Sequence, residues 1–565
     1  MDLRQAQSTK SLVDPASTRY RDHVSTDLRR AWAREGHYPG RDLYSLFRGH
    51  VQRAPQAPAV LDAEGSVSYA ELDRAARRLA AGLAQLGIGP GDVVAVQLPN
   101  ARLACVVDLA VAAVGAIVLP FPLGRGDRDA VSLLSRSEAV VVITVADHHG
   151  YPCAERIRKH AADLPMLRAV VVAGDGAAAT PGCVPIEALF AAGAAEFAPR
   201  EIDPDAPARI LVTSGSEAEP KMVLYSHNAL AGGRGAMMTS LHRGSTTTMR
   251  NFFLVPLASA FGSSGTPVTL ATLGATLVLR PAFDAAATLR SIVETRPTHL
   301  LGVPTMMRML LDCPQIRDTD LGSLQAVVLG GAALDLDTAR RAEELLGCTV
   351  VSLYGSADGV SCNSGLGRYD GTVGRPDPAV ADIRIVGPDG QELATGVTGE
   401  VVARGPMSPM SYVNSPELDT ALRTPDGWTM TGDLGLIDDR GRLRLVGRRK
   451  DVVIRGGLNI SPAEVESVLI THPAIRDVAC VPVADPLYGE RVCACVATSA
   501  ELGLADVTAH LAAAGMEPRK FPEHLLLLAA LPLSAAGKVD RQALRKQAAN
   551  QGFGTTRSGT EDVTA

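Results

Sequence analysis

The sequence predicts an α/β protein of more than one domain, and three observations carry that prediction. Short Val/Ile/Leu runs such as "VVAVQL", "AVVVIT", "RAVVVA", "ATLVLR" and "AVVLGG" alternate with longer stretches of helical periodicity. Such runs, spaced by helices, read as mainly parallel strands. At 565 residues the chain is also too long for one hydrophobic core. After about residue 375 the texture changes: "ADIRIVGPDGQELATGVTGEVVARGP" alternates around Gly and Pro-Asp-Gly turns, the pattern of antiparallel hairpins.

In chain order, residues 1–40 are polar and read as an irregular lead-in. The αβ pattern starts at "DLYSLFRGHV". The run "LACVVDLAVAAVGAIVLPFP" (103–122) raises the question of a membrane span. Asp108 and two prolines interrupt it, which leaves it short of the roughly 20 apolar residues a span needs. It reads instead as a buried helix running into a buried strand. Beyond "GRRKD" (447–451) a smaller αβ pattern runs to about residue 546, and residues 547–565 lack periodicity and read as disordered.

Bulk chemistry excludes several partners. Hydrophobic residues make up 46% and charged residues 21%, as in an ordinary globular protein. Net charge is −6 and no basic tract appears, which argues against nucleic acid and anionic membrane. Nine cysteines without a CxxC pair read as reduced thiols, and the N-terminus has no apolar secretion core, so a cytoplasmic location is expected. Only seven of the 55 basic residues are lysine, so each lysine inside a Gly- or Pro-bearing motif draws notice.

Six motifs stand in order. "TSGSEAEPK" (213–221) follows the apolar run "RILV"; backbone N–H groups and the hydroxyls of Thr213, Ser214 and Ser216 suit phosphate oxygens, and Lys221 suits their charge. A polar surface turn explains that loop about as well. "GGAA" (330–333) closes a strand with residues small enough for a flat ring to approach, or is simply a strand-end turn. "YGSADG" (354–359) offers an aromatic face and then Asp358, able to face a cation. In "GWTMTGDLG" (427–435) Asp433 sits in a glycine-flanked turn, placed to accept the two hydroxyls of a ribose or to cap a turn. "GRRKDVVIRGGLNISPAEVE" (447–466) combines a basic cluster, a double glycine and a Ser-Pro helix start. "PLSAAGKVDRQAL" (532–544) places Lys538 after a glycine ahead of a helix.

Each motif is weak alone, but their order over more than 300 residues resembles the AMP-forming acyl-CoA synthetase family, which also holds carrier-protein adenylation domains and luciferases. The resemblance runs from "SVSYAELDRAARRLAAGLAQLGIGPGDVVAVQLPN" (66–100) to about residue 546. It implies a large N-terminal domain of parallel αβ sheets with a small antiparallel β subdomain (41–449), and a small, mobile α+β C-terminal domain (450–546). It also implies a two-step reaction: a carboxylate and ATP give acyl-AMP and pyrophosphate, and the small domain then swings to pass the acyl group to a thiol.

Carried over by position, Thr213, Ser214, Gly215, Ser216 and Lys221 would hold phosphates. Gly331, Ala332, Ala333, Tyr354, Gly355 and Ser356 would frame adenine, and Asp358 with Ser216 would hold Mg2+. Asp433 would hold the ribose diol, with Arg448 beside it, and Lys450 would be the hinge. Lys538 would bridge carboxylate and α-phosphate in adenylation, and Gly456 with Gly457 would line the tunnel for the CoA thiol. The acyl pocket would be built around Ser259, Ala260, Phe261, Ser263, Ser264, Val303 and Gly330. The small residues of "VPLASAFGSSG" (255–265), with no charge among them, point to a bulky apolar acid, aryl or polycyclic.

The chain departs from the family pattern at two places. In the phosphate loop Glu217 replaces a hydroxyl residue and Ala218 a glycine. A carboxylate about 4 Å from a phosphate opposes binding by roughly 1–4 kcal/mol, and alanine at a positive φ costs about 1–2 kcal/mol. Both penalties vanish if the loop bends outward. The usual YG[MS]TE also becomes "YGSAD", so Ala357 lacks a hydroxyl and Asp358 withdraws its carboxylate by about 1.5 Å. Both departures fall on the MgATP half of the reaction. Three function classes therefore remain at sequence level. The first is a ligase using ATP and CoA, or one using preformed acyl-AMP from a separate adenylating enzyme. The second is an enzyme loading a carrier protein in trans, and the third is a non-enzymatic adenylate-binding protein.

Overall fold

The structure is a computed structural model that describes residues 20–177, 180–192, 197–213, 220–242, 248–456, 458–498, 500–534 and 537–551. Its α/β class follows the sequence. One eight-stranded sheet takes the order 360–363, 349–356, 326–330, 299–302, 250–253, 276–279, 58–62, 65–68. Its six inner strands run parallel and only the two edge strands are antiparallel. A second eight-stranded sheet carries the parallel strands Ile117–Pro120, Val93–Val96, Val141–Val145 and Ala169–Ala173 at its centre.

The helix Arg102–Val114 lies in the core shared by these sheets, and ten of its residues are buried. It leads into the fully buried strand Ile117–Pro120, so the apolar run at 103–122 is a core helix and strand. Among the described residues no helix is long and apolar enough to cross a membrane. The preceding helix, Tyr69–Gln85, starts on a capping box in which Ser68 and Glu71 satisfy each other's backbone N–H groups.

The alternating stretch beyond residue 375 forms a four-stranded antiparallel sheet of Asp382–Val386, Gly399–Arg404, Thr429–Ile437 and Leu443–Arg448. That sheet ends at Arg448, and a five-stranded sheet with its own apolar core begins at Val453. Between them lies the single turn Arg449–Asp451. All nine cysteines are unpaired.

Two of the sequence expectations need correction. The lead-in is not irregular throughout, because Thr26–Arg34 is a helix capped by the Ser25 hydroxyl. Trp32 is buried, and Arg29 is buried too, held by Asp22 and Asp205 at 2.7 and 2.9 Å. Those partners lie outside the helix, which is why its polar sequence looked unstructured. The expected tail begins too early: Arg541–Asn550 is helical and Ala548 is fully buried against the small sheet. Residues 552–565 lie outside the described residues.

Candidate active site

Parallel strands gather their carboxyl ends on one edge, and ligand sites in open α/β sheets form there. Gly330 ends the strand Ala326–Gly330, Gly355 and Ser356 end Thr349–Ser356, and Thr213 follows Pro207–Val212. All of these line one cavity of about 260 Å³. Lys221, Asp358, Arg448, Lys450 and Lys538 line it as well, although they come from four separate stretches of chain.

Lys538 reaches in from the small domain. A Cβ built on Gly331, whose φ is +84°, would stand 2.7 Å from Lys538 Cε and 3.2 Å from its Nζ. The lysine stem therefore lies on the bare glycine backbone, a contact no other residue there permits. Burial and the nearby Arg448 guanidinium lower the Lys538 pKa to about 8, with Asp433 acting in the opposite direction. Arg308 on the helix Pro304–Leu311 holds the small domain in this position. It donates to Asp477 of the small sheet at 2.9 Å and lies 3.6 Å from Asp335. The Ser461 hydroxyl adds a hydrogen bond to the Val446 carbonyl at 2.6 Å.

Asp433 is buried and is not itself a lining residue, but its neighbour Gly432 and its partner Arg448 line the cavity. Its carboxylate accepts from the Tyr354 hydroxyl at 2.7 Å and pairs with Arg448 Nε at 2.7 Å. Tyr354 itself lies in an apolar cluster, so it braces Asp433 rather than offering a free aromatic face to the cavity. Burial and the Asp433 charge hold its hydroxyl well above the usual pKa, so it stays a donor. Asp358 is buried and accepts from Tyr412 at 2.7 Å and Ser356 at 2.6 Å. Mg2+ is held through one or two carboxylates plus substrate phosphates and water. Asp358, with Thr213 and Lys221 lining the same cavity, fits that requirement.

Several expected residues lie elsewhere. Ala332 and Ala333 are exposed and do not line the cavity. Ser259 and Ser263 also turn away. The Ser259 hydroxyl closes its own turn by donating to the Pro256 carbonyl and accepting from Gly262, and Ser263 accepts from the buried Arg209 at 3.1 Å. Val303 is a core residue preceding the helix Pro304–Leu311. Ala260, Phe261, Ser264 and Gly330 do line the cavity. Gly456 stands on the small domain against Tyr488, away from the cavity, at a φ of +54°. Ser214, Gly215, Ser216, Glu217, Ala218 and Gly457 lie outside the described residues.

Sequence reasoning missed Arg234, Met237, Tyr412 and the Arg308 clasp. For Arg234 a signal existed in "LAGGRGA", where two glycines in a helical stretch mark a close backbone approach. Tyr412 and the clasp depend on pairings far apart in sequence, which no local pattern announces.

Residues 47–413 match the AMP-binding enzyme family and residues 464–538 match the AMP-binding enzyme C-terminal domain. The chain belongs to the AMP-binding enzymes of the adenylate-forming superfamily. It is similar to triostin synthetase I of Streptomyces triostinicus, at 34% identity over 93% of this chain and 97% of the relative. It is also similar to the 2-hydroxy-7-methoxy-5-methyl-1-naphthoate–CoA ligase of Streptomyces carzinostaticus, at 32% identity over 92% and 96%. Among solved structures, ATP-bound MatB from Rhodopseudomonas palustris superposes with a TM-score of 0.79 at 27% identity, covering 91% of this chain and 99% of MatB. Enzymes of this class activate a carboxylic acid as its adenylate.

Proposed function

We propose that the chain is an acyl-CoA ligase that adenylates a bulky aryl or polycyclic acid with ATP and then transfers the acyl group to CoA. The observation that carries this reading is Lys538, standing against Gly331 in the same cavity as Lys221 and Asp358. In adenylation an anionic carboxylate approaches an anionic phosphate, and a cation placed where charge concentrates stabilises the transition state most. Lys538 supplies that cation at the shared oxygens, and Asp433 with Arg448 orients the ribose. Bound Mg2+ would neutralise phosphate charge beside Asp358.

The acid's bulk is supported by Gly330, Ala260 and Ser264, whose small side chains leave room beside Phe261 and Met237. A naphthoate-activating relative points the same way. For the second step Lys538 has to leave the cavity. The turn Arg449–Asp451, which contains Lys450, is the pivot this reading requires. Ile454, Leu487 and Tyr488 flank Gly456 as exposed apolar side chains, a surface suited to docking once the small domain turns.

Because Arg308 clasps Asp477 in the present arrangement, Arg308→Ala is expected to depopulate it. Adenylation should slow by about threefold to tenfold, with thioester formation from supplied acyl-AMP unchanged or faster. Single-turnover rates of the two steps check this, and equal loss in both would refute the clasp.

One observation favours a narrower second reading. The Asp358 carboxylate, one methylene shorter than the family's glutamate, is tied by two hydroxyls, and Ala357 offers no hydroxyl beside it. The narrower enzyme would use acyl-AMP made by a partner. The experiment supplies each acid of an aryl panel as free acid with MgATP, and separately as synthetic acyl-AMP, with CoA in both. Acyl-CoA from both forms is the expected result. Acyl-CoA from the adenylate alone would leave only the narrower reading, and none from either, with a carrier protein loaded instead, would replace CoA as the thiol.

A further inference from the structure

The cavity holds, besides the cations already placed in the reaction, a buried arginine that the reaction does not use. Arg234 is 4% exposed and lines the cavity. It ends the five-residue π-helical turn Leu230–Arg234, "LAGGR". Insertions of this kind redirect side chains and recur at functional sites. Here the turn is pressed close to its surroundings. A Cβ on Gly233 would meet the Met407 backbone at 2.4 Å, and one on Gly232 the His37 carbonyl at 2.5 Å.

The surroundings of this guanidinium are unusual for a buried charge. Nη1 donates to the Ala260 carbonyl at 2.8 Å, while Nε is buried with no hydrogen-bond partner. The guanidinium carbon lies 5.3 Å from the Tyr225 ring centroid. Among the described residues no carboxylate lies within ion-pairing distance of it. The neighbouring buried arginine, Arg209, shows the contrast: it pairs with Asp108 at 2.8 Å. Burial pushes the Arg234 pKa down, the Tyr225 hydroxyl beside it acts in the opposite direction, and Arg209, a like charge, adds a smaller downward push. A second polar group faces the same region, because the Ser264 hydroxyl lines the cavity and is buried without a partner.

A buried cation without a counter-ion is costly, and proteins resolve the cost by pairing it. No described side chain does so here, and the cavity is where a substrate's body lies. We propose that Arg234 is a specificity residue that binds a second carboxylate on the acid substrate, so that the preferred substrates are dicarboxylic acids whose other carboxyl is adenylated. This rests on the ligase reading above, and it revises the expectation of a wholly apolar acid. That expectation came from "VPLASAFGSSG", a stretch without charge, whereas the charge enters from a different helix. The bulk expected of the acid is unaffected.

The test uses the full-length enzyme and matched pairs: benzoic against isophthalic and terephthalic acids, and naphthoic against naphthalenedicarboxylic acids. Two readouts run in parallel, acyl-AMP formation with MgATP and the melting-temperature shift each acid produces in the presence of AMP. A charge-assisted pair contributes about 1.5–3 kcal/mol, so at least one diacid should exceed its matched monoacid by about ten- to a hundred-fold in kcat/KM. It should also raise the melting temperature where the monoacid does not. In Arg234→Leu the preference should invert toward the monoacid through KM, with the variant's own melting temperature at or above the parent's, since an uncompensated charge has been removed. Arg234→Lys should keep part of the diacid preference. Monoacids used as well as or better than every diacid would overturn the proposal, as would a diacid preference that survives Arg234→Leu. A lower melting temperature in Arg234→Leu without a change of preference would assign Arg234 to the fold instead. A diacid-specific thermal shift without turnover of any acid would refute the ligase reading alone, because the shift requires no chemistry.

Discussion

Lys538→Ala is expected to slow acyl-AMP formation by about a hundred- to a thousand-fold. Thioester formation from supplied acyl-AMP should stay within about threefold of the parent, because on the proposed function the lysine has left the cavity in that step. The variant should fold normally: Lys538 is a loop residue of the small domain, and its stem rests on Gly331 with no ion pair among the described residues. The pH profile carries the same assignment. With its pKa lowered to about 8 by burial and Arg448, Lys538 is a cation below that pH and loses its proton as the pH rises through it. The kcat/KM for adenylation, which reports the free enzyme, should therefore fall above about pH 8. Bound nucleotide adds negative charge beside the amine and favours the ammonium, so the fall in kcat should lie at higher pH. Lys538→Arg should be slower through misplaced geometry yet lose the alkaline fall, since a guanidinium stays charged. Equal damage to both half-reactions, or an alkaline fall that persists in Lys538→Arg, would refute the role.

What could be read in the sequence follows from where the stabilising interactions lie. Parallel strands such as Val93–Val96 are buried on both faces, so an unbroken apolar run identifies them. The hairpins beyond residue 375 announce themselves through turn chemistry. The helix Thr26–Arg34 did not, because much of what holds it is Arg29 paired with Asp205, far along the chain. The same division runs through the site. Motif positions located Lys538, Asp433, Arg448 and Asp358, and the structure brings these residues or their immediate neighbours to one cavity. Side-chain direction was not legible. Within 255–265, Ser259 and Ser263 point into local hydrogen bonds while Ala260, Phe261 and Ser264 face the cavity. Arg234 was missed for a related reason: an arginine in a helix ordinarily reads as exposed, and although Gly232 and Gly233 mark a close backbone approach, only the π-helical turn shows that it carries the side chain inward.

Asp433→Ala should damage both half-reactions equally, which separates it from Lys538→Ala. Its carboxylate holds the Tyr354 hydroxyl and Arg448 Nε, each at 2.7 Å, and these bonds fix the orientation in which, on the proposed function, it would meet the ribose. Without it a buried hydroxyl loses its acceptor, at about 1–3 kcal/mol. Arg448 loses its partner too, but its side chain is 46% exposed and water takes over much of that loss. Ribose is held in the same way in ATP and in acyl-AMP, so the interaction is uniform binding and its loss appears in KM. Two hydrogen bonds to a charged group contribute about 3–6 kcal/mol before the solvent exchange at Arg448 is counted. A rise of about a hundredfold or more in KM for ATP, and a similar rise for acyl-AMP, is therefore the expected result. Asp433→Asn keeps one acceptor oxygen and the side-chain volume, and should cost about tenfold. Melting curves run beside the kinetics separate the two consequences of the substitution. If KM values for both nucleotides stay unchanged while the melting temperature falls, Asp433 only braces Tyr354 and Arg448, and the ribose is held elsewhere in the cavity.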